Sequence, residues 1–214
     1  MSNRYTIAIS DDHPHIIYSL KMLFENSDSF VVLNETICGK NLLSILVSKP
    51  TDIVITDFSL SSDRSALDGF AKLRALKGRF PDVKIVLLTS QSNTAILRSA
   101  CDYGVKSIVS KSDPVEETVL ACQHVMTQQG YFFSSSFSHI RNYLIKGKEK
   151  GSPLTPKELE VIRLFSSGYT LSEIAVRQNR TISTISTQKY NAMRRLGVSS
   201  NIELIRYAYA KGLI

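Results

Sequence analysis

Five residues of this chain have types and positions suited to handling a phosphoryl group: Asp11, Asp12, Asp57, Thr89 and Lys111. Asp11 and Asp12 follow one short apolar run directly, and Asp57 follows another. Three carboxylates held close together repel one another and call for a cation. A hard divalent ion with oxygen ligands, Mg2+, meets that need. Asp57 would then be the nucleophile. The metal and the Lys111 ammonium would meet the charge of the transferred group, and Thr89 would hydrogen-bond one of its oxygens, since such a transfer is catalysed mainly by positioning and electrostatics. Taken singly, each residue has a plainer role: an Asp after a strand caps a turn or a helix, a Lys faces solvent, and a Thr ends a strand. The order DD, D, T, K, each at the end of a separate strand, is what makes them a site.

A parallel sheet must bring these residues together. Short runs rich in Val and Ile predict five buried strands, Tyr5 to Ile9, Phe30 to Leu33, Asp52 to Thr56, Lys84 to Thr89 and Ser107 to Val109. Helical spacing falls between and after them, at His15 to Phe24, Leu42 to Val47, Phe70 to Phe80, Ala95 to Tyr103 and Val115 to Gln129. This alternation predicts an α/β fold, a flavodoxin-like (βα)5 domain with a five-stranded parallel sheet in the order 2-1-3-4-5. Ligands of such sheets bind beyond the carboxyl ends of the strands, where the strand order reverses. The acidic residues fall at that edge.

The pattern stops at Gly130. The serines of FSSSFS and then KGKEKG read as a polar, basic, partly helical linker over residues 131–152. Beyond it the periodicity is wholly helical, with helices over Pro156 to Ser166, Leu171 to Arg177, Ser183 to Leu196 and Ile202 to Lys211. Two of these are separated by the short break from Gln178 to Ile182, which contains Asn179, and Thr181 or Ser183 can cap the second. That is a helix-turn-helix in a small all-α domain. On a helical wheel Ile185, Ala192 and Leu196 form the buried stripe, while Ser183, Thr187, Tyr190, Asn191 and Arg194 face away from it. Such a polar face without acids suits a DNA major groove and its flanking phosphates. Lys189 lies nearer the buried stripe, and its long stem is expected to reach a phosphate.

The net charge of +7 is unevenly spread. Residues 1–130 hold 13 basic and 14 acidic residues, a net −1, whereas residues 131–214 hold 13 and 5, a net +8. All of the positive excess sits where the helix-turn-helix does, as expected of a polyanion-binding module joined to a neutral one. A composition of 43% hydrophobic and 21% charged residues excludes the disordered and membrane extremes. The run MSNRYTIAISDDHP places two acids where a signal peptide would need its apolar core, so a cytoplasmic location is expected. Cys38, Cys101 and Cys122 lie far apart in no metal-binding spacing and read as reduced thiols.

The motifs DDHP at Asp11 to Pro14, ITDFSL around Asp57, LLTS at Thr89 and IVSK at Lys111 resemble the receiver domain of NarL/FixJ-type response regulators. The segments LTPKELEVIRLF, GYTLSEIAV and RTISTISTQKYNAMRRLGV are similar to the LuxR-type output domain. The resemblance implies a receiver over residues 1–130, a linker over 131–152 and a DNA-binding domain over 153–214, in a bacterial two-component regulator that binds double-stranded DNA as a dimer and is not an enzyme. It implies that Asp57 accepts a phosphoryl group from a sensor histidine kinase or phosphotransfer protein. It further implies that Asp11, Asp12, Asp57 and the Ser59 carbonyl hold Mg2+, and that Thr89 and Lys111 sense the phosphate. In the output domain it implies phosphate contacts from Thr184 and neighbouring basic residues, base contacts from Ser186, Thr187, Lys189 and Tyr190, and a dimerisation role for the last helix.

Three features depart from the family pattern. Ser61 stands where a proline is usual, the loop SSDRSALDG is long, and Ile108 replaces the Tyr or Phe often found three positions before the lysine. They motivate an alternative, a regulator acting without phosphorylation or as a heterodimer. A rival of another class, a Mg2+-dependent phosphohydrolase of the haloacid dehalogenase type, wants a second Asp two positions after the nucleophile, where this chain has Ser59.

Overall fold

The computed structural model describes residues 4–60, 67–138, 140 and 154–214. The chain divides into two compact units, Met1–Ser90 with Ala100–Asn142, and Gln91–Ser99 with Tyr143–Ile214.

The first unit is built on a parallel sheet of β1 (Tyr5–Ser10), β2 (Phe30–Thr36), β3 (Ile53–Thr56), β4 (Lys84–Thr89), β5 (Val105–Ser110) and β6 (Phe132–Phe133), in the order β2-β1-β3-β4-β5-β6. Its connecting helices are α1 (Pro14–Glu25), α2 (Gly39–Ser48), α3 (Gly69–Arg79) and α5 (Glu116–Thr127), and α4 (Thr94–Asp102), between β4 and β5, is divided between the two units after Ser99. β3 is buried along its whole length, which is why it reads IVIT rather than alternating apolar and polar residues. α1 turns Ile17, Leu20 and Phe24 inward at helical spacing. They join Ile7, Ile9, Ile53, Ile55 and Val86 in one core cluster, each large side chain contributing about 1.5–3 kcal/mol on burial.

The strand order reverses between β1 and β3, and their pairing ends with Ser10 opposite Thr56. The next residues, Asp11 and Asp57, therefore leave the sheet side by side, with the Asp57 amide donating to the Ser10 carbonyl at 3.0 Å. The expected order 2-1-3-4-5 is observed, but the sheet has six strands rather than five. β6 pairs with β5 through Ser107 with Phe132 and Ile108 with Phe133. The serines after it, which suggested a linker, are satisfied on this unit. The Ser110 amide donates to Ser134 Oγ at 2.9 Å, Ser135 donates to Glu117, and Ser136 donates to Asp113. The remainder of the expected linker, 141–152, and the loop residues 61–66, including Ser61, lie outside the described residues.

In the second unit, α6 (Pro156–Ser166), α7 (Leu171–Gln178), α8 (Ile182–Leu196) and α9 (Asn201–Ala210) follow one another. Thr155 with Glu158, Thr170 with Glu173 and Ser200 with Glu203 form reciprocal capping boxes at the starts of α6, α7 and α9, each cap being worth about 1 kcal/mol. Val161, Leu164, Ile174, Ala175 and Ile185 pack as the core. The turn between α7 and α8 passes through Asn179 at φ 50°, a left-handed conformation that Asn tolerates better than most residues. Among the described residues no helix is long and apolar enough to cross a membrane.

Candidate functional site

The strands of the first unit deliver the expected residues to one edge: Asp11 and Asp12 after β1, Asp57 after β3, Thr89 at the end of β4 and Lys111 after β5. Lys111 Nζ lies 2.7 Å from Asp11 Oδ2 and 2.7 Å from Asp57 Oδ2, with all three side chains at most 9% exposed. The Lys111 amide donates to the Thr89 carbonyl at 3.0 Å, so these two residues are tied through the backbone. Thr89 itself is buried.

Burial raises the pKa of Asp57 above the usual carboxylate value, against the opposing charge and hydrogen bond of Lys111 and the charge of Lys72. Burial works against the Lys111 cation, but the charges of Asp57 and Asp11 and their hydrogen bonds outweigh it and raise its pKa. Ligand atoms of Asp11, Asp12, His13 and Asp57 lie within 4.8 Å of one another. Three of the four donors are carboxylate oxygens, the set a hard divalent cation prefers. The donors present therefore fit Mg2+.

Two residues close to this pocket were not assigned a role from sequence. His13 Nδ1 lies 2.8 Å from Asp12 Oδ1 and 3.1 Å from Asp11 Oδ1, so the third residue of the DDHP motif faces back onto its two acids. Lys72 is fully buried on α3, and its Nζ donates to the Asp57 carbonyl at 2.5 Å. A lysine within a helix reads by default as a surface residue, so only the period of α3 could have signalled it. Ile108 is also fully buried, paired with Leu87 on β4 and Phe133 on β6.

In the second unit α8 begins at the cap Thr181, whose Oγ1 accepts from the Thr184 amide at 3.2 Å, and ends at Gly197 in a left-handed conformation. Ile185 and Ala192 are buried as the wheel requires, and Leu196 is half-buried. Ser183, Ser186, Thr187, Tyr190 and Arg194 are exposed, while Thr184 and Asn191 are half-buried. Lys189 is half-buried and turned across the domain: its Nζ donates to Asn201 Oδ1 at 2.5 Å and sits 4.0 Å from the centre of the Phe165 ring. Desolvation there lowers its pKa. Arg195 pairs with Glu158 at 3.1 Å.

Residues 7–122 match the family described as the response regulator receiver domain, and residues 152–208 match that described as bacterial regulatory proteins, luxR family. The chain is a response regulator with a LuxR-type output domain. The regulator is 34% identical over 206 residues to the transcriptional regulatory protein RcsB of Salmonella typhi, covering 96% of this chain and 94% of that one. It is 28% identical to the fimbriae Z protein of Salmonella typhimurium, over 98% of each chain. Among solved structures it superimposes on RcsB of Salmonella typhimurium with a TM-score of 0.81 at 30% identity, covering 98% of this chain and 99% of that one. A second RcsB structure, from Salmonella enterica serovar Typhimurium bound to promoter rprA with the phosphomimetic BeF3−, gives 0.80 at 32% identity, covering 96% and 98%.

Proposed function

We propose that this regulator accepts a phosphoryl group on Asp57 and, as a dimer in the cytoplasm, binds promoter DNA through the exposed face of α8. The observation that carries the reading is the Lys111 ammonium set 2.7 Å from the carboxylates of both Asp11 and Asp57 at the sheet edge. RcsB structures, some with DNA and a phosphomimetic, support the extension to DNA binding.

A carboxylate oxygen of Asp57 attacks the phosphorus of a phosphohistidine on a sensor kinase or phosphotransfer protein. An O–P bond forms, the donor N–P bond breaks, and the imidazole leaves. Mg2+, held by Asp11, Asp12, Asp57 and the Ser59 carbonyl, supplies charge neutralisation when bound. The Lys111 ammonium meets the charge of the transferred group, and the Thr89 hydroxyl donates to one of its oxygens. The receiver role belongs to residues 1–130 together with the anchored serines that follow. The output role belongs to 153–214, with 141–152 joining them.

On α8, Ser183, Thr187, Tyr190, Asn191 and Arg194 face the groove, with Thr184 and Ser186 beside them. Lys189 reaches a phosphate once it leaves Asn201, a neutral partner that a phosphate oxygen can replace. Incubation with Mg2+ and acetyl phosphate followed by intact-mass measurement should show a phosphoryl adduct on the wild type and none on Asp57→Ala. An adduct retained by Asp57→Ala would remove Asp57 from the role.

A further inference from the structure

The buried face of α3 consists of Gly69, Phe70, Lys72, Leu73 and Leu76. The third of these positions calls for an apolar side chain by the helical period, yet it holds a lysine at 0% exposure. Its ammonium lies beneath the acceptor. Nζ donates to the Asp57 carbonyl at 2.5 Å and reaches the Phe58 carbonyl at 3.4 Å, while the Phe58 amide donates to Asp57 Oδ1 at 2.5 Å. Phe58 and Phe70, both buried, meet edge to face at 5.0 Å. A buried charge must be hydrogen-bonded or paired, and the Asp57 and Phe58 carbonyls supply part of that here.

We propose that Lys72 is a second fixed cation of the phosphoryl-accepting site, a positioning residue that holds the acceptor backbone, favours the phosphorylated state and opposes the divalent ion. The inference rests on the reading of Asp57 as the acceptor. The Lys72 charge acts on Asp57 in addition to that of Lys111, which holds both Asp11 and Asp57. Phosphorylation replaces a singly charged carboxylate with a group of higher negative charge, and a fixed cation stabilises the second state more than the first. The same ammonium repels Mg2+ through a medium that screens poorly. The two effects have opposite signs, which separates them from loss of packing.

The test uses the full chain with Lys72→Met, which keeps the stem volume, and Lys72→Gln, which keeps an amide donor without charge; circular dichroism verifies that both fold. Titration calorimetry with MgCl2 alone, and then with beryllium fluoride at saturating MgCl2, reads the two affinities. Both variants should bind Mg2+ about three- to tenfold more tightly and the phosphoryl mimic more weakly by a similar factor. Unchanged or weaker Mg2+ binding in the folded variants overturns the proposal, as does a wild-type response from Lys72→Gln with only Lys72→Met altered. Asp57→Asn treated with acetyl phosphate alongside tests the parent reading separately: an adduct retained there defeats the acceptor assignment whatever the Lys72 variants do.

Discussion

Lys111 joins two buried carboxylates that have little access to water. Removing one partner of such a group leaves uncompensated charge, at a cost of about 3 kcal/mol. Lys111→Met should therefore lower the thermal midpoint in metal-free buffer, and Mg2+ should restore more stability to the variant than it adds to the wild type. Equal Mg2+ stabilisation of the two proteins would show that Lys111 does not balance these carboxylates. The positions of Asp11, Asp12, Asp57 and Lys111 were legible in the sequence because each lies just after a strand, and a parallel sheet turns that sequence position into a spatial one. Lys72 and His13 were not legible in the same way. One sits inside a helix, where a lysine reads as a surface residue even though the period of α3 places it on the inward face, and the other belongs to a quoted motif whose histidine has no role in simple charge counting. Neither carries a strand-end position to mark it.

The short elements that follow β5 offer a physical route between the pocket and the chain leading to the output domain. Ser110, next to Lys111, donates its amide to Ser134 Oγ, and Asp113, two residues after Lys111, accepts from Ser136. Burial works against the Asp113 carboxylate, but the hydrogen bonds from Ser134 and Ser136 together outweigh it and lower its pKa. A depressed folded-state pKa means that the stabilisation is present above the ordinary aspartate value and is lost as pH falls through the lowered one. Thermal unfolding of the wild type should thus fall off in that acidic window by more than that of Asp113→Asn; parallel curves would exclude the clamp. Ser134→Ala, which leaves the Ser110 amide without its acceptor, should cost about 1–3 kcal/mol in chemical denaturation. This clamp escaped sequence reasoning because serine, glycine and lysine in succession look alike whether anchored or loose. The helix-turn-helix was more readable, since its caps and left-handed turn depend on Thr181, Asn179 and Gly197 locally. Thr181→Ala should destabilise the second unit by about 1 kcal/mol, read from its own unfolding transition.

At the scale of the whole chain, the division into net −1 and net +8 explains which unit meets a polyanion, yet net charge does not equal contact. Arg163 is held by Glu160 at 2.9 Å and Arg195 by Glu158 at 3.1 Å, so part of the basic excess is spent inside the domain. Arg194 is exposed on α8, whereas Lys49 is exposed just after α2 in the first unit. Removing either changes the formal charge equally. If binding depended on the charge of the molecule as a whole, Arg194→Gln and Lys49→Gln would weaken promoter binding alike. If contacts along α8 release counterions from the DNA, Arg194→Gln should flatten the slope of log affinity against log salt by about one unit, and Lys49→Gln should leave it unchanged. Tyr190→Ala supplies the complementary case. Its ring is two-thirds exposed, so stability should shift by less than about 0.5 kcal/mol, while affinity falls for the cognate promoter more than for unrelated DNA at an unaltered salt slope. Fluorescence anisotropy over a salt series on both DNAs measures all three variants. Equal slopes for Arg194→Gln and Lys49→Gln would assign the electrostatic attraction to the chain as a whole and take α8 out of direct phosphate contact.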